Sequence, residues 1–355
     1  MLADAGTDGR GTARIERFIV VGAGAVGATI GARLFEHGHD VVLVARGAHL
    51  EAMRRDGLCF RDPDRSRCLA VPVAGAAGEV RWRDGDVAVL ATKGQDAVAA
   101  MDDVRAAAGP AVPVVCAQNG VDNERQALRR FAGVYGMCVL LPATHVEPGV
   151  VEAPSLPIVG VLDVGRYPRG SDAIIEDVAA ALDGSGFRSA ADPDIMRWKY
   201  QKLLLNIATA VRAICDVKQH AADEDAARRA LEDGIAAEAR ACFAAARIGL
   251  PTPDEVAARW TGALTHRPIP GREGKAGGSS WQSLTRGLGS IEADHLNGEI
   301  VLLGRLHGVP TPLNAGLAVV AAEVARRRER PGTMRPSELA ARIGSVAATV
   351  PSWPP

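Results

Sequence analysis

The sequence predicts an α/β chain in two parts: an N-terminal, doubly wound parallel sheet flanked by helices, and an all-α C-terminal domain. Two observations carry this. From Phe18 to about residue 190, short apolar runs alternate with helical patterns; after "GSGFRSAADPD" the strand signals stop and long helical patterns take over. Strands buried on both faces read as short continuous apolar runs, and helices between them make the sheet parallel.

The elements follow in order. "FIVVGA" reads as a strand, 25–37 as a helix and "DVVLVAR" as a second strand. "DVAVLAT" (86–92) and "VPVVCAQ" (112–118) are further strands, separated by an alanine-rich helical segment. The stretch 135–162 is interrupted by Pro and Gly, as hairpin strands appended to the sheet would be. Helical patterns then cover 194–215, 222–248, 253–265, about 280–307 and 312–328. Pro251, Pro253, Pro310 and Pro312 fall at helix starts, where the missing N–H leaves no bond unmade. The expected organisation is a loose extension at 1–15, a sheet domain at 16–188, a helical domain at 189–330 and a tail at 331–355. Within the tail "PSELAARI" can add one short helix, and "ARRRER" (325–330) reads as the solvated end of the preceding one.

The length of 355 residues suits about two domains. With 41 basic against 42 acidic residues and only 4% aromatics, the chain has neither the charge nor the stacking surface for a nucleic acid. The polar start "MLADAGTDGRGTARIER" has no apolar core of a signal peptide, and no apolar stretch nears the roughly 20 residues that span a bilayer. A soluble, cytoplasmic protein with no membrane partner is expected, and the apolar faces of the helical domain suit a homodimer. Six scattered cysteines (59, 68, 116, 138, 215 and 242), with no C-x-x-C, are expected to be reduced structural thiols. No metal is expected: His37 and His39 flank Gly38 as in a cap and turn, and no other histidines have ligand spacing.

Gly22-Ala23-Gly24-Ala25-Val26-Gly27 is G-x-G-x-x-G between a strand and a helix. Gly22 permits the tight turn, Gly24 lets backbone approach a pyrophosphate, and Gly27 lets helix and strand pack closely. The context on both sides makes this a dinucleotide site. An NAD site carries an acid about 20 residues further on, to hold the ribose 2′-hydroxyl. Here the second strand ends at Arg46, with Asp40 at its other end. A guanidinium repels no 2′-phosphate and grips it with charge-assisted bonds, so NADP is the expected cofactor; the plainer reading is an ordinary surface arginine.

Further candidates stand at strand ends and on helices. "TKGQD" carries Lys93, "QNGVDNE" carries Asn119, and "WKYQKLLLNIATA" sets Lys202 and Asn206 four apart on one helix face. "SSWQSLTRGLGSIEADHLNGEI" carries Ser280 and Glu292. Singly these are ordinary: helix lysines are mostly exposed, and Glu292 beside Asp294 suits a solvated face. Lys202, however, precedes the apolar run "LLLNIATAV", so its face should be covered, and a buried lysine normally requires a carboxylate partner.

Together the glycine loop, Lys93, Asn119, Lys202/Asn206 and Ser279-Ser280…Glu292/Asp294/Asn297/Gly298 resemble the ketopantoate reductase (2-dehydropantoate 2-reductase) family over about 17–325. The resemblance implies an NADP-binding Rossmann domain, a helical second domain of the 6-phosphogluconate dehydrogenase C-terminal kind, and a cleft where NADPH reduces a branched 2-oxo acid to a D-2-hydroxy acid. It implies Lys202 as general acid, with Glu292 orienting it and meeting a substrate hydroxyl or the cofactor. Asn119 and Asn206 would position substrate, Ser280 would bind its carboxylate, and Arg46, Lys93, Asn119 and Glu292 would contact the cofactor. Lys199 is a rival acid, but Leu203 rather than Asn stands four residues on. The chain departs from the family at Ala210 and Leu284, where polar residues are common, which leaves part of the pocket wall more apolar. A reductase for a bulkier 2-oxo acid therefore stays open. So does a β-hydroxyacid dehydrogenase-type enzyme, although "PDIMRWKYQ" lacks the glycines such enzymes place before the lysine. An NADP-sensing regulator is the non-enzyme alternative; it would not need Lys202, Asn206, Ser280 and Glu292 together.

Overall fold

The computed structural model describes residues 14–145, 147–215, 222–272 and 277–348, so the expectations for 1–13 and 349–355 fall outside the described residues. The strands are β1 (Arg17–Val21), β2 (Asp40–Val44), β3 (Leu58–Arg61), β4 (Ser66–Leu69), β5 (Val73–Ala74), β6 (Asp86–Leu90), β7 (Val114–Cys116), β8 (Val134–Leu140), β9 (Val150–Glu152) and β10 (Val161–Arg166). Between them run α1 (Ala25–Glu36), α2 (Gly47–Asp56), α3 (Gly94–Ala108) and α4 (Asn123–Leu128), and α5 (Ala173–Asp183) follows β10. The rest is helical: α6 (Ile195–Asn206), α7 (Thr209–Cys215), α8 (Ala222–Ala245), α9 (Pro253–Trp260), α10 (Ser279–Thr285), α11 (Ala293–His307), α12 (Pro312–Arg326) and α13 (Pro336–Ala347).

The main sheet has the order β10-β8-β7-β6-β1-β2-β5. All neighbours are parallel except β8 and β10. Helices cover both faces, as the apolar strands require: Ile30 and Leu34 of α1 with Ile175 and Leu182 of α5 fill one core, and Ala97, Met101 and Val104 of α3 another. Each fully buried Leu or Ile contributes about 1.5–3 kcal/mol. Because the strands run the same way, the ends of β1, β2, β6 and β7 deliver Gly22, Arg46, Lys93 and Asn119 to one rim, where open α/β sheets bind ligands.

Several expectations need correction. The 135–162 segment follows expectation only in part: β8 and β10 pair antiparallel at the sheet edge, but β8 also joins β7 in parallel and β9 leaves the sheet. β9 completes a second sheet of order β4-β3-β9, whose members β3 and β4 gave no clear sequence signal. Nor are all the cysteines reduced thiols. The β3–β4 hairpin sets Cys59 directly opposite Cys68, and the two form a disulfide. Cys116, Cys138 and Cys242 are buried thiols. In the tail the helical alternative holds, because α13 packs on α12 and α8 with Leu339 and Ile343 fully buried. Residues 188 and 191 still bridge to β10, so the chain leaves the sheet just before α6.

α6 is the element that brings the two halves together, lying against β8 and β10. Two glycines admit it. Gly136 and Gly165 face each other across the β8–β10 pair. A Cβ at Gly165 would sit 2.0 Å from the Asp192 carbonyl oxygen and 2.7 Å from Ile195 Cβ, and one at Gly136 would crowd Lys199 Cδ at 3.3 Å.

Candidate active site

The glycine loop has the features its spacing required. Gly22 has φ +101°, and a Cβ there would meet the Thr92 nitrogen at 2.7 Å; at Gly27 it would sit 2.2 Å from the Gly22 carbonyl oxygen. Gly24 is different, since a Cβ would meet nothing within 4 Å. Among the described residues no atom demands that glycine, and no side chain caps the first-turn amides of α1. A bare approach to uncapped helix amides fits a pyrophosphate. The loop is held from below by Gly22 and Ala23 amides donating to the Val44 carbonyl at 3.0 and 3.1 Å.

Arg46 stands at the N-cap position of α2 and is 69% exposed, and its partner among the described residues is the open Asp103 at 3.4 Å. Exposed pairs of this kind are worth about 0–1 kcal/mol, so the guanidinium is readily given to a phosphate. One residue the sequence did not single out is His49 of α2. Its Nε2 lies 2.7 Å from the Ala23 carbonyl oxygen, and its Nδ1 accepts the Gly149 amide at 2.8 Å. Both nitrogens are thus used by the neutral ring. Burial, then the neighbouring His145, pushes its pKa down to about 4.

Across the cleft, the segment after β6 meets the start of α11. The Lys93 ammonium donates to Ser283 Oγ of α10, and the Gly94 amide donates to Glu292 Oε1 at 3.2 Å. Burial lowers the Lys93 pKa, and the Glu292 charge partly offsets it. The Asn206 side-chain amide donates to Asn119 Oδ1 at 2.9 Å, joining α6 to the end of β7. Ser280 is buried, with its Oγ 3.0 Å from Thr209 Oγ1. Lys202 lines a small cavity with Gln118, Asn119 and Cys138. Burial lowers its pKa, and the Cys138 thiol is the one group opposing that.

The structure corrects the expected partnering of this lysine. Among the described residues no carboxylate pairs with Lys202, and Glu292 bonds to the Gly94 amide beside Lys93 instead. The carboxylate-paired lysine is Lys199, 3% exposed, whose Nζ lies 2.6 Å from Glu124 Oε1. It also donates towards the carbonyls of Gln118, Met137 and Cys116 at 3.0, 3.2 and 3.4 Å. Four acceptors surround three N–H bonds, so Lys199 has no proton to offer a ligand. Glu124 lies 75 residues away in sequence, and nothing in its own pattern marked it. Ala210 and Leu284 also differ from expectation: both pack in the core of the helical domain.

A dinucleotide loop facing a helical domain that supplies a lysine, and an asparagine paired with one at a strand end, is the arrangement of a nicotinamide-dependent oxidoreductase. Comparison with known proteins is specific. Residues 18–162 match the model of the ketopantoate reductase PanE/ApbA family, and 194–325 match its C-terminal model. The chain belongs to the ketopantoate reductase family. It is 27% identical over 305 residues to the 2-dehydropantoate 2-reductase of Pyrococcus horikoshii, covering 84% of this chain and 94% of that one. The enzyme of the same name from Mesorhizobium japonicum is 28% identical over 331 residues, covering 86% and 96%. Among solved structures, a PanE/ApbA family ketopantoate reductase from Ralstonia eutropha JMP134 superposes with a TM-score of 0.71 at 24% identity, over 88% of this chain and 100% of that one. D-Mandelate dehydrogenase, solved with NADH and anilino(oxo)acetate, shares the fold with a TM-score of 0.74 at 22% identity, over 88% and 99%. The protein is an oxidoreductase of the 2-dehydropantoate 2-reductase type, built for a nicotinamide cofactor and a small keto acid.

Proposed function

We propose that the protein reduces 2-dehydropantoate (ketopantoate) to (R)-pantoate with NADPH, with Lys202 as general acid. The observation that carries this is Lys202, which among the described residues has no carboxylate partner and lines one cavity with Asn119. The glycine loop would hold the pyrophosphate of the dinucleotide, whose nicotinamide would supply the hydride. As the carbonyl carbon becomes tetrahedral, Lys202 stabilises the alkoxide and then gives it a proton. Asn119 and Asn206, tied to each other, hold the substrate, and Ser280 meets its carboxylate. Glu292 and Lys93 act from the cofactor side, and Glu292 reaches Lys202 only through bound ligand. Arg46 selects the 2′-phosphate, which favours NADPH over NADH.

A second reading, a bulkier 2-oxo acid on the same machinery, draws on the fold shared with D-mandelate dehydrogenase, which was solved with anilino(oxo)acetate. Following NADPH oxidation with ketopantoate beside a panel of 2-oxo acids, and again with NADH, separates the two. Efficient turnover of ketopantoate with NADPH preference is expected. Activity confined to a bulkier acid would move the substrate, and silence on the whole panel would remove the reading.

A further inference from the structure

The segment closing β7 holds a side chain that neither the fold nor the chemistry above uses. Gln118 is 4% exposed, yet among the described residues neither its Nε2 nor its Oε1 has a hydrogen-bond partner. Buried carboxamides are nearly always bonded, so one left open calls for an explanation in terms of what it serves. It is not loose: its carbonyl accepts from Lys199 at 3.0 Å, and the next residue, Asn119, is fixed by Asn206 at 2.9 Å. Lys199 simultaneously ties the carbonyls of Cys116 and Met137, so the backbone under Gln118 is anchored to both β7 and β8. Gln118 is among the residues that line the same cavity as Lys202.

We propose that Gln118 is a catalytic residue, the second hydrogen-bond donor to the oxygen of the reacting carbonyl, beside the Lys202 ammonium. This deepens the reading of Lys202 as the acid and rests on it. During reduction the hydride forms the new C–H bond, and the C=O π pair moves onto oxygen. Gln118 Nε2–H bonds that oxygen as its charge grows and keeps its own proton; Lys202 supplies the proton that ends as the product hydroxyl. A neutral donor suits this place, because a second cation would depress the Lys202 pKa further and a carboxylate would repel the alkoxide. The anchored backbone makes the donor preorganised, which is where such bonds act most strongly.

The test compares Gln118→Leu and Gln118→Glu with wild type, using the 2-oxo acid that wild type reduces best. Gln118→Leu should lower kcat roughly 10²-fold, the scale of one lost oxyanion donor, with NADPH affinity and Tm unchanged. Gln118→Glu should lower kcat similarly and move the basic limb of its pH profile upward, because a carboxylate beside Lys202 holds the ammonium proton longer. Wild-type kcat in the Leu variant, or an unmoved basic limb in the Glu variant, would overturn the assignment. A lowered Tm with kcat intact would also overturn it, leaving Gln118 a structural residue. Wild-type silence on every 2-oxo acid would take down the proposed function and this assignment together, an outcome distinct from the others.

Discussion

Lys199 and Lys202 stand one turn apart on α6, and their surroundings are opposite. Around Lys199 every N–H is spoken for by Glu124 and three backbone carbonyls, of Cys116, Gln118 and Met137. Around Lys202 the described residues offer no hydrogen bond and no carboxylate, and it lines a cavity with Gln118, Asn119, Cys138 and the saturated Lys199. Lys199 is buried and Lys202 half-buried, but exposure alone does not mark a site. Saturation does: a lysine whose donors are filled by the protein holds structure, and one whose donors are left open is held for a ligand.

The contrast breaks most visibly at Lys202. Lys202→Ala should lower kcat about 10²- to 10⁴-fold, as the loss of a general acid does, while NADPH binding measured by fluorescence titration stays at the wild-type level. Lys199 should answer in stability instead. Lys199→Met leaves Glu124 buried without its cation, and thermal or denaturant unfolding should show a loss of about 3–5 kcal/mol. Adding Glu124→Leu to that variant should restore much of it. A recovery of folding without recovery of kcat would show that the pair also positions the strand ends.

Arg46 extends the comparison to the cofactor end, where an exposed arginine is weakly committed to Asp103. Arg46→Ala should weaken NADPH about 10- to 100-fold, corresponding to one charge-assisted bond of about 1.5–3 kcal/mol, and leave NADH unaffected. Equal losses for both cofactors would remove its 2′-phosphate role. The smallest effect belongs to His49, a saturated group like Lys199. Its folded pKa is about 4 against an ordinary 6.5, so the unfolded chain takes up the proton first. The stability it contributes is present above pH 6.5 and is lost as pH falls towards 4. His49→Gln should flatten that part of the Tm-against-pH curve.

Much of this was legible in the sequence, and the limits follow from geometry. The glycine loop, the strand ends and the Lys202/Asn206 face depend on local spacing, which a sequence displays directly. What depends on distant pairing was hidden. β3 and β4 are short and gain meaning only when β9, some 90 residues on, pairs with β3. The same hairpin registers Cys59 against Cys68. Glu124 sits in a short helix with nothing to advertise that Lys199 will reach it. Gln118 adjoins a singled-out asparagine, yet its open carboxamide is visible only once every neighbour is placed. α13 was within reach, because "PSELAARI" has the apolar spacing that buries Leu339 and Ile343.

The most direct test of Lys202 as the acid is the pH dependence of kcat in wild type and in Lys202→Arg. Burial holds the lysine below its ordinary 10.5, so wild-type kcat should fall as pH rises, with a midpoint under that value. The arginine variant keeps the cation but does not titrate in this range, so its kcat should be low and flat there. A basic limb of the same midpoint in both proteins would assign the titration to another group and contradict the account.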